Sequence, residues 1–226
     1  MFEPLPDLAY FRLLVGDPRA IPLLESAASI GVIAYPSLDL QGTLSGFDGL
    51  AGQVAEHCRG ASTEMARLQR VSRFFYGKLG FAGNVNDYYD PDNSFVHRVL
   101  ETRRGIPITL ALLFGELARH VGLDAAGVAF PGHFLVKVRL HDGVVVIDPF
   151  TGHSLDQDEL QRRAAAHGGS LERLLRPASP QQMLIRMLHN LQAIYEQQGS
   201  TDLLDKVTAR LRILLAYPER ADEGRA

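Results

Sequence analysis

The sequence predicts an α+β protein in which helices surround a short antiparallel sheet. Residues 94–150 change from two helical stretches to three strand-like stretches rich in Val and Phe. The flanking parts of the chain place apolar residues at helical spacing. We therefore divide the chain into a helical N-terminal region (1–79), a core (80–155) and a helical C-terminal region (156–226).

The N-terminal region should contain four helices separated by short turns. We expect a first helix over Pro4–Val15, a second from Asp17-Pro18, and a turn over Ala34–Leu40. The glycine-rich stretch Gly46–Ala51 should be loosely organised before a third helix. Ser62 or Thr63 can cap the fourth helix. The predicted inner faces of the third and fourth helices comprise Leu50, Val54, Cys58, Leu68, Val71, Phe74 and Phe75.

The segment Gly80–Ser94 is an unusual loop, rich in Asn, Asp, Gly and Tyr. We expect its Asn and Asp side chains to bond its own backbone, and its tyrosines could line the edge of a pocket. Three residues of this loop and one residue of the helix after it match the first, third, fifth and twelfth positions of a calcium-binding EF-hand loop: Asp90, Asp92, Ser94 and Glu101. The sixth position, which requires Gly, is occupied by Phe95, and this mismatch disfavours calcium.

The core begins with two helices, Ser94–Thr102 and Pro107–Val121. Gly105 ends the first, and Pro107 suits the first position of the second. The second is apolar nearly all round at its start, which predicts a buried central helix. Strands should follow over Ala125–Phe130, Phe134–Leu140 and Val144–Ile147, with His141-Asp142-Gly143 as the turn between the last two.

The C-terminal region should be mainly helical. We expect helices over Asp156–Ala166, Leu171–Leu175, Gln181–Gln198 and Thr201–Ala216. The last two, joined at Gly199, resemble one tetratricopeptide unit. A solenoid needs about three repeats, so this pair should pack on the body of the protein or on a partner.

Composition excludes several classes of function. The 226 residues carry a net charge of -3 without a basic patch, which argues against nucleic-acid binding. One cysteine, Cys58, allows neither an internal disulfide nor a multi-cysteine metal site, and favours a reducing compartment. No apolar run approaches the roughly 18 residues of a membrane span, and no signal peptide is recognisable, so we expect a cytoplasmic protein without a membrane partner.

Candidate site residues lie on three successive elements of the core. A helix start, a His near the start of a strand (His133) and an Asp at the end of the next strand (Asp148) reproduce the order of a Cys-His-Asp triad. The helix start offers no thiol. The nearest hydroxyl, Thr109, lies two positions after Pro107 and should point about 200° round the helix. His133, Asp148 and His153 are a conceivable, generic metal set.

The motifs GFAGNVNDYYDPDNSFVHRVLETRRGIPITLALLF, GVAFPGHFLVKV and VVVIDPF together resemble the bacterial transglutaminase-like core proteins of the invasion-regulator type, which carry a tetratricopeptide tail. The resemblance spans roughly residues 10–218 and implies a papain-like core. In catalytic members a Gly-x-Cys opens the central helix. Here Gly105 matches the Gly, Pro107 stands at the Cys position, and His133 and Asp148 match the His and Asp.

Proline supplies neither a nucleophile nor a backbone N–H for an oxyanion. We therefore expect a non-catalytic regulatory protein, a pseudoenzyme without cofactor or metal, that binds a protein or peptide partner. The alternative is a hydrolase or amidotransferase that acts on an amide or peptide substrate through His133 and Asp148, with His133 as the general base.

Overall fold

The computed structural model describes residues 7–165 and 170–217. Its helices, labelled in chain order, are α1 (Asp7–Val15), α2 (Leu23–Ser29), α3 (Leu40–Cys58), α4 (Glu64–Ser72), α5 (Val96–Thr102), α6 (Pro107–His120), α7 (Gln157–Ala165), α8 (Leu171–Leu174), α9 (Pro180–Gln198) and α10 (Thr201–Leu215). Short 3₁₀ segments follow α2 and precede α5, and a π-helical segment, Arg73–Lys78, continues α4. Within the described ranges, no helix combines the length and apolarity needed to cross a bilayer.

The strands form a short parallel pair and a four-stranded antiparallel sheet. They are β1 (Ala82–Gly83), β2 (Arg104–Gly105), β3 (Asp124–Val128), β4 (Leu135–Leu140), β5 (Gly143–Ile147) and β6 (Ser154–Leu155). The antiparallel sheet has the order β3-β4-β5-β6. Leu140 pairs with Gly143 at the predicted hairpin turn. Strands β1, β2 and β6 were not predicted from the sequence, because two residues are too few for a periodic signal.

Helix α6 is the buried centre of the molecule, as its composition predicts. Every residue from Pro107 to Gly115 is buried. The helix packs on β3 and β4, and also contacts α3, α4 and α9. Helices that are apolar all round need such neighbours on several sides. The largest buried cluster runs from Phe11 to Leu214, so N-terminal, central and C-terminal helices share one hydrophobic core around α6.

Two predictions for the N-terminal region are wrong. The stretch Gly46–Ala51 is not loose but lies inside the continuous helix α3. Each interior Gly costs about 1 kcal/mol of helix stability, yet Phe47, Leu50 and Ala51 are buried, and this packing outweighs the cost. Asp17 does not start a helix, because its carboxylate accepts the N–H of Arg19 and closes a turn. Helix α2 starts later, at Leu23.

The other predicted boundaries lie within a few residues of those observed. Thr63 is the N-cap of α4 and accepts the N–H of Ala66 at 3.1 Å. The first predicted helix is present from Asp7, and its residues 4–6 lie outside the described part of the chain. Ala166, the last residue of the predicted 156–166 helix, and everything after Tyr217 also lie outside it.

Helices α9 and α10 pack on the body of the protein. Gly199, with φ 68°, ends α9 in the left-handed conformation and turns the chain into α10. Helix α9 contacts α2 and α6, and α10 contacts α1. The Nη2 of Arg210, which is 1% exposed, lies 2.8 Å from Oδ2 of Asp7. This ion pair joins the last described helix to the first.

Candidate functional site

The pairing of β4 with β5 brings His133 and Asp148 together. His133 lies in a turn just before β4, where its N–H donates to the carbonyl of Phe130 at 3.0 Å. Asp148 directly follows β5. Because the strands are antiparallel and Val136 pairs with Ile147, the start of one lies beside the end of the other. The predicted order of elements therefore places the two side chains in contact.

The contact joins Nε2 of His133 to Oδ1 of Asp148 over 2.9 Å. The Asp148 side chain is 9% exposed and that of His133 is 23% exposed. The distance is that of an ion pair, but Nε2 makes no well-aligned hydrogen bond to any described residue. The imidazole therefore contacts the carboxylate at hydrogen-bond distance but without a linear N–H···O geometry. The same Oδ1 also accepts the N–H of Phe150 at 2.9 Å.

The surroundings of Asp148 favour its charged form. Burial alone would raise the pKa of this carboxyl, but the imidazole of His133 and the N–H groups of Phe150 and Thr151 together hold the pKa below its ordinary value. The backbone of Asp148 is also held in place. Its N–H donates to the carbonyl of His153, and its carbonyl accepts the N–H of Gly152. Asp148 is thus an ionised, immobilised carboxylate.

Tyr76 is a neighbour of this site that the sequence analysis missed. It lies in the π-helical segment, and its ring stacks on Phe114 of α6 with 5.8 Å between centroids. A Cβ on Gly152 would approach that ring to 3.0 Å. The Tyr76 hydroxyl is buried without a described partner, and burial and the charge of Asp148 raise its pKa. This neighbour could not be predicted from the sequence, because the π-helical segment that carries it, a feature that recurs at functional sites, is visible only in the structure.

The loop Gly80–Ser94 lies against both the Asp148 turn and the start of α6. Gly83 donates its N–H to the carbonyl of Phe150 at 2.9 Å, and Asn84 donates to that of Gly105 at 3.1 Å. A Cβ on Gly83 would fall 2.3 Å from the Phe150 ring, so the close approach requires Gly at this position. As expected, the loop bonds to itself: the Asn93 amide donates to the carbonyls of Asp87 and Tyr88.

The tyrosines of this loop lie at the surface. Tyr88 lies near Phe150, with 5.9 Å between ring centroids, and contacts Tyr89 edge to face. Tyr89 lines one side of a cavity of about 600 Å³ whose opposite wall includes Ile194 at the end of α9. The loop therefore connects the Asp148 turn with the C-terminal helices.

The helix start holds Pro107 as its first residue, and the other candidate groups do not form a site. The Thr109 hydroxyl is fully buried and has no described partner. Asp92, one residue of the calcium pattern, accepts the Tyr35 hydroxyl and pairs with Arg98, so its carboxylate already has partners in the protein. Within residues 7–165 and 170–217, no group of three His, Cys, Asp or Glu side chains could hold a metal, so the His133, Asp148 and His153 set is also absent.

Cys58 is buried on α3, and burial raises its thiol pKa.

A central helix packed on an antiparallel sheet, with a His–Asp contact where β4 starts and β5 ends, defines a transglutaminase-like protein. The chain belongs to the transglutaminase-like superfamily, whose family model matches residues 43–189.

Similar proteins occur in several bacteria and in mammals. The chain is 36% identical to a UPF0162 protein of Xylella fastidiosa strain Temecula1, over 98% of this chain and 81% of that protein. It is 30% identical to a UPF0162 protein of Pseudomonas aeruginosa, over 86% and 72% respectively. F-box only protein 21 of Homo sapiens shares 30% identity over 68% of this chain but 26% of its own length. No solved structure matches the chain significantly.

Proposed function

We propose that this chain is a non-catalytic transglutaminase-like protein that binds a protein or peptide partner. Pro107, the first residue of α6, carries the proposal, since the family resemblance places the nucleophile there. Proline has no group that can attack a carbonyl. Cys58 lies on another helix and burial keeps its thiol protonated, so it does not substitute.

In this proposal, His133 and Asp148 organise the surface instead of performing chemistry. The Asp148 carboxylate divides its contacts between His133 and the Phe150 N–H. It thereby orients the Phe150 ring, on which the loop Gly80–Ser94 packs.

The proposed binding surface consists of Val85, Tyr88 and Tyr89. Their exposed fractions are 76%, 44% and 69%. Exposed aromatic residues supply large contact areas at low entropic cost and are enriched at protein interfaces. Burial raises the pKa of the Tyr88 hydroxyl, and the positive charge of the nearby Arg186 on α9 partly opposes this rise. We propose that the partner is a peptide segment with apolar anchors, bound in the reducing cytoplasm without a cofactor.

Binding at this surface can be tested by selecting peptides from a displayed library on the immobilised protein. We expect enriched peptides to lose at least about tenfold in affinity for a Tyr89→Ser variant, because an anchoring Tyr typically contributes more than about 1.4 kcal/mol. Tyr217→Ser, at another exposed tyrosine, should bind as the wild type does. Equal binding of the selected peptides to the wild type, Tyr89→Ser and Tyr217→Ser would contradict the proposed binding surface.

The second candidate is a hydrolase, favoured by the ionised Asp148 beside a partly exposed His133. A general base acting on water contributes about 10² to 10⁴-fold. We expect no turnover of amide, ester or γ-glutamyl substrates above the level of a His133→Ala variant. His141→Ala, at an exposed histidine, is the matched control. Turnover that disappears only in His133→Ala would establish the hydrolase and refute the non-catalytic proposal.

A further inference from the structure

A second cavity, of about 520 Å³, lies between the first half of α3 and the segment that contains α5. Neither His133 nor Asp148 lines it. Its apolar wall is formed by Leu38, Leu50 and Leu100. Gly46 lines it from α3, where a Cβ would meet nothing within 4 Å. The volume suits a small organic molecule.

Arg103 lines this cavity and forms no ion pair with any residue that the structure describes. Its backbone is left-handed, with φ 60° and ψ 19°, the only such non-glycine residue among those described. Glycine is the usual residue where a helix ends in this conformation, so an arginine here carries backbone strain. The guanidinium lies 4.7 Å from the centroid of the Phe81 ring, and its Nη1 is buried without an acceptor. Burial lowers its pKa.

His97 is the second unsatisfied group in the cavity wall. The residue is 6% exposed, and both ring nitrogens are buried without a described partner. Burial lowers its pKa, which favours the neutral form with one N–H donor. A Cβ on Gly31 would approach Nδ1 to 2.8 Å, so this edge of the imidazole ring packs closely against the Gly31 backbone. Buried polar groups without partners are rare, and each carries a free-energy cost unless a ligand or water satisfies it.

The two carboxylates of the cavity wall already have partners. Asp39 accepts the N–H of Gly42 at 2.8 Å as the cap of α3. Glu101 pairs with Arg98. Neither therefore compensates Arg103, whose guanidinium forms no ion pair with any described residue. The unpaired charge of this wall is therefore the Arg103 cation, which the carboxylate of a ligand can pair.

We propose that this cavity binds a small monocarboxylate with a branched apolar body. The carboxylate pairs with the planar guanidinium of Arg103, a geometry that suits two parallel N–H···O bonds, and lies within reach of the imidazole of His97. The apolar body packs against Leu38, Leu50 and Leu100. Asp39 and Glu101 in the same wall repel a second negative charge, so a phosphate dianion fits less well.

The proposal is tested by ligand-observed NMR and calorimetry with 4-methylpentanoate, its neutral amide and isoamyl phosphate. We expect the carboxylate to bind at least about tenfold more tightly than the amide, because the lost interaction is a charge-assisted hydrogen bond. Arg103→Gln, which keeps the same backbone strain without the charge, should abolish this preference. Gly46→Leu should fill the cavity and remove binding.

Gly49→Leu is the matched control. Gly49 lies in the same helix, a Cβ there also meets nothing within 4 Å, and it does not line the cavity. We expect this variant to bind 4-methylpentanoate as the wild type does. Absent binding, equal binding of the amide, tighter binding of the phosphate, or undiminished binding to Gly46→Leu would each overturn the proposal.

Discussion

A cysteine introduced by Pro107→Cys, in a Cys58→Ser background, should titrate well below the native Cys58 thiol. Thiol pKa values fall to about 3.5–7.5 at the start of a helix or beside an imidazole, whereas burial raises that of Cys58. Pro107 is buried, so the absorbance of the thiolate is a better measurement than the rate of alkylation. The substitution should preserve the fold because the N–H that a cysteine adds at the first helical position needs no intrahelical partner.

Thr109→Cys in the same background is the matched control for this titration. It lies on the same helix, two residues further on, and its side chain should point about 200° away. We expect an ordinary or raised pKa there. A thiol at position 107 that titrates no lower than that at 109 or than Cys58 would show that the helix start does not correspond to the nucleophile position.

Asp7→Asn should lower the free energy of unfolding by about 3 kcal/mol. It leaves the guanidinium of Arg210, which is 1% exposed, without its only carboxylate among the described residues. Removing one partner from a buried ion pair typically costs 3–5 kcal/mol, and the lower limit applies because the Asp7 side chain is 46% exposed and therefore screened. Urea denaturation at neutral pH measures the change.

Two further variants make this result specific. Asp124→Asn removes the carboxylate of an exposed ion pair with Arg139 and should change stability by less than about 0.5 kcal/mol. Adding Arg210→Met to Asp7→Asn should recover most of the loss, because it removes the unpaired buried charge. A loss in Asp7→Asn no larger than that in Asp124→Asn would contradict the prediction.

The same pair sets an expected pH dependence. Burial alone would raise the pKa of Asp7, but Arg210 lowers it below its ordinary value in the folded protein. A depressed carboxyl pKa stabilises the fold fully above the unfolded-state value of about 3.9, and this stabilisation is lost as the pH falls through the folded-state pKa. The Asp7→Asn variant should therefore differ from the wild type at neutral pH and converge with it in acid.

Local sequence patterns predicted most of the fold near the site. The apolar run after Pro107 predicted the central helix, and the two flanking strand patterns with their hairpin turn predicted that His133 and Asp148 would lie close together. Each pattern covers only a short stretch of the chain. The antiparallel pairing of the two strands then places the start of one beside the end of the other. The glycines of α3 predicted a loose stretch that is in fact helical, because the packing of Phe47 and Leu50 against distant helices outweighs the intrinsic preference of glycine.

The sequence by itself determined which residues were available: a proline where the family resemblance expects a cysteine, a histidine and an aspartate in a fixed order, and a single thiol on another helix. Only the tertiary structure decided how they are surrounded. It placed Tyr76 beside Asp148 and left Arg103 and His97 unpartnered at one cavity. Such contacts join segments far apart in the chain, and burial and charge compensation depend on all of them at once.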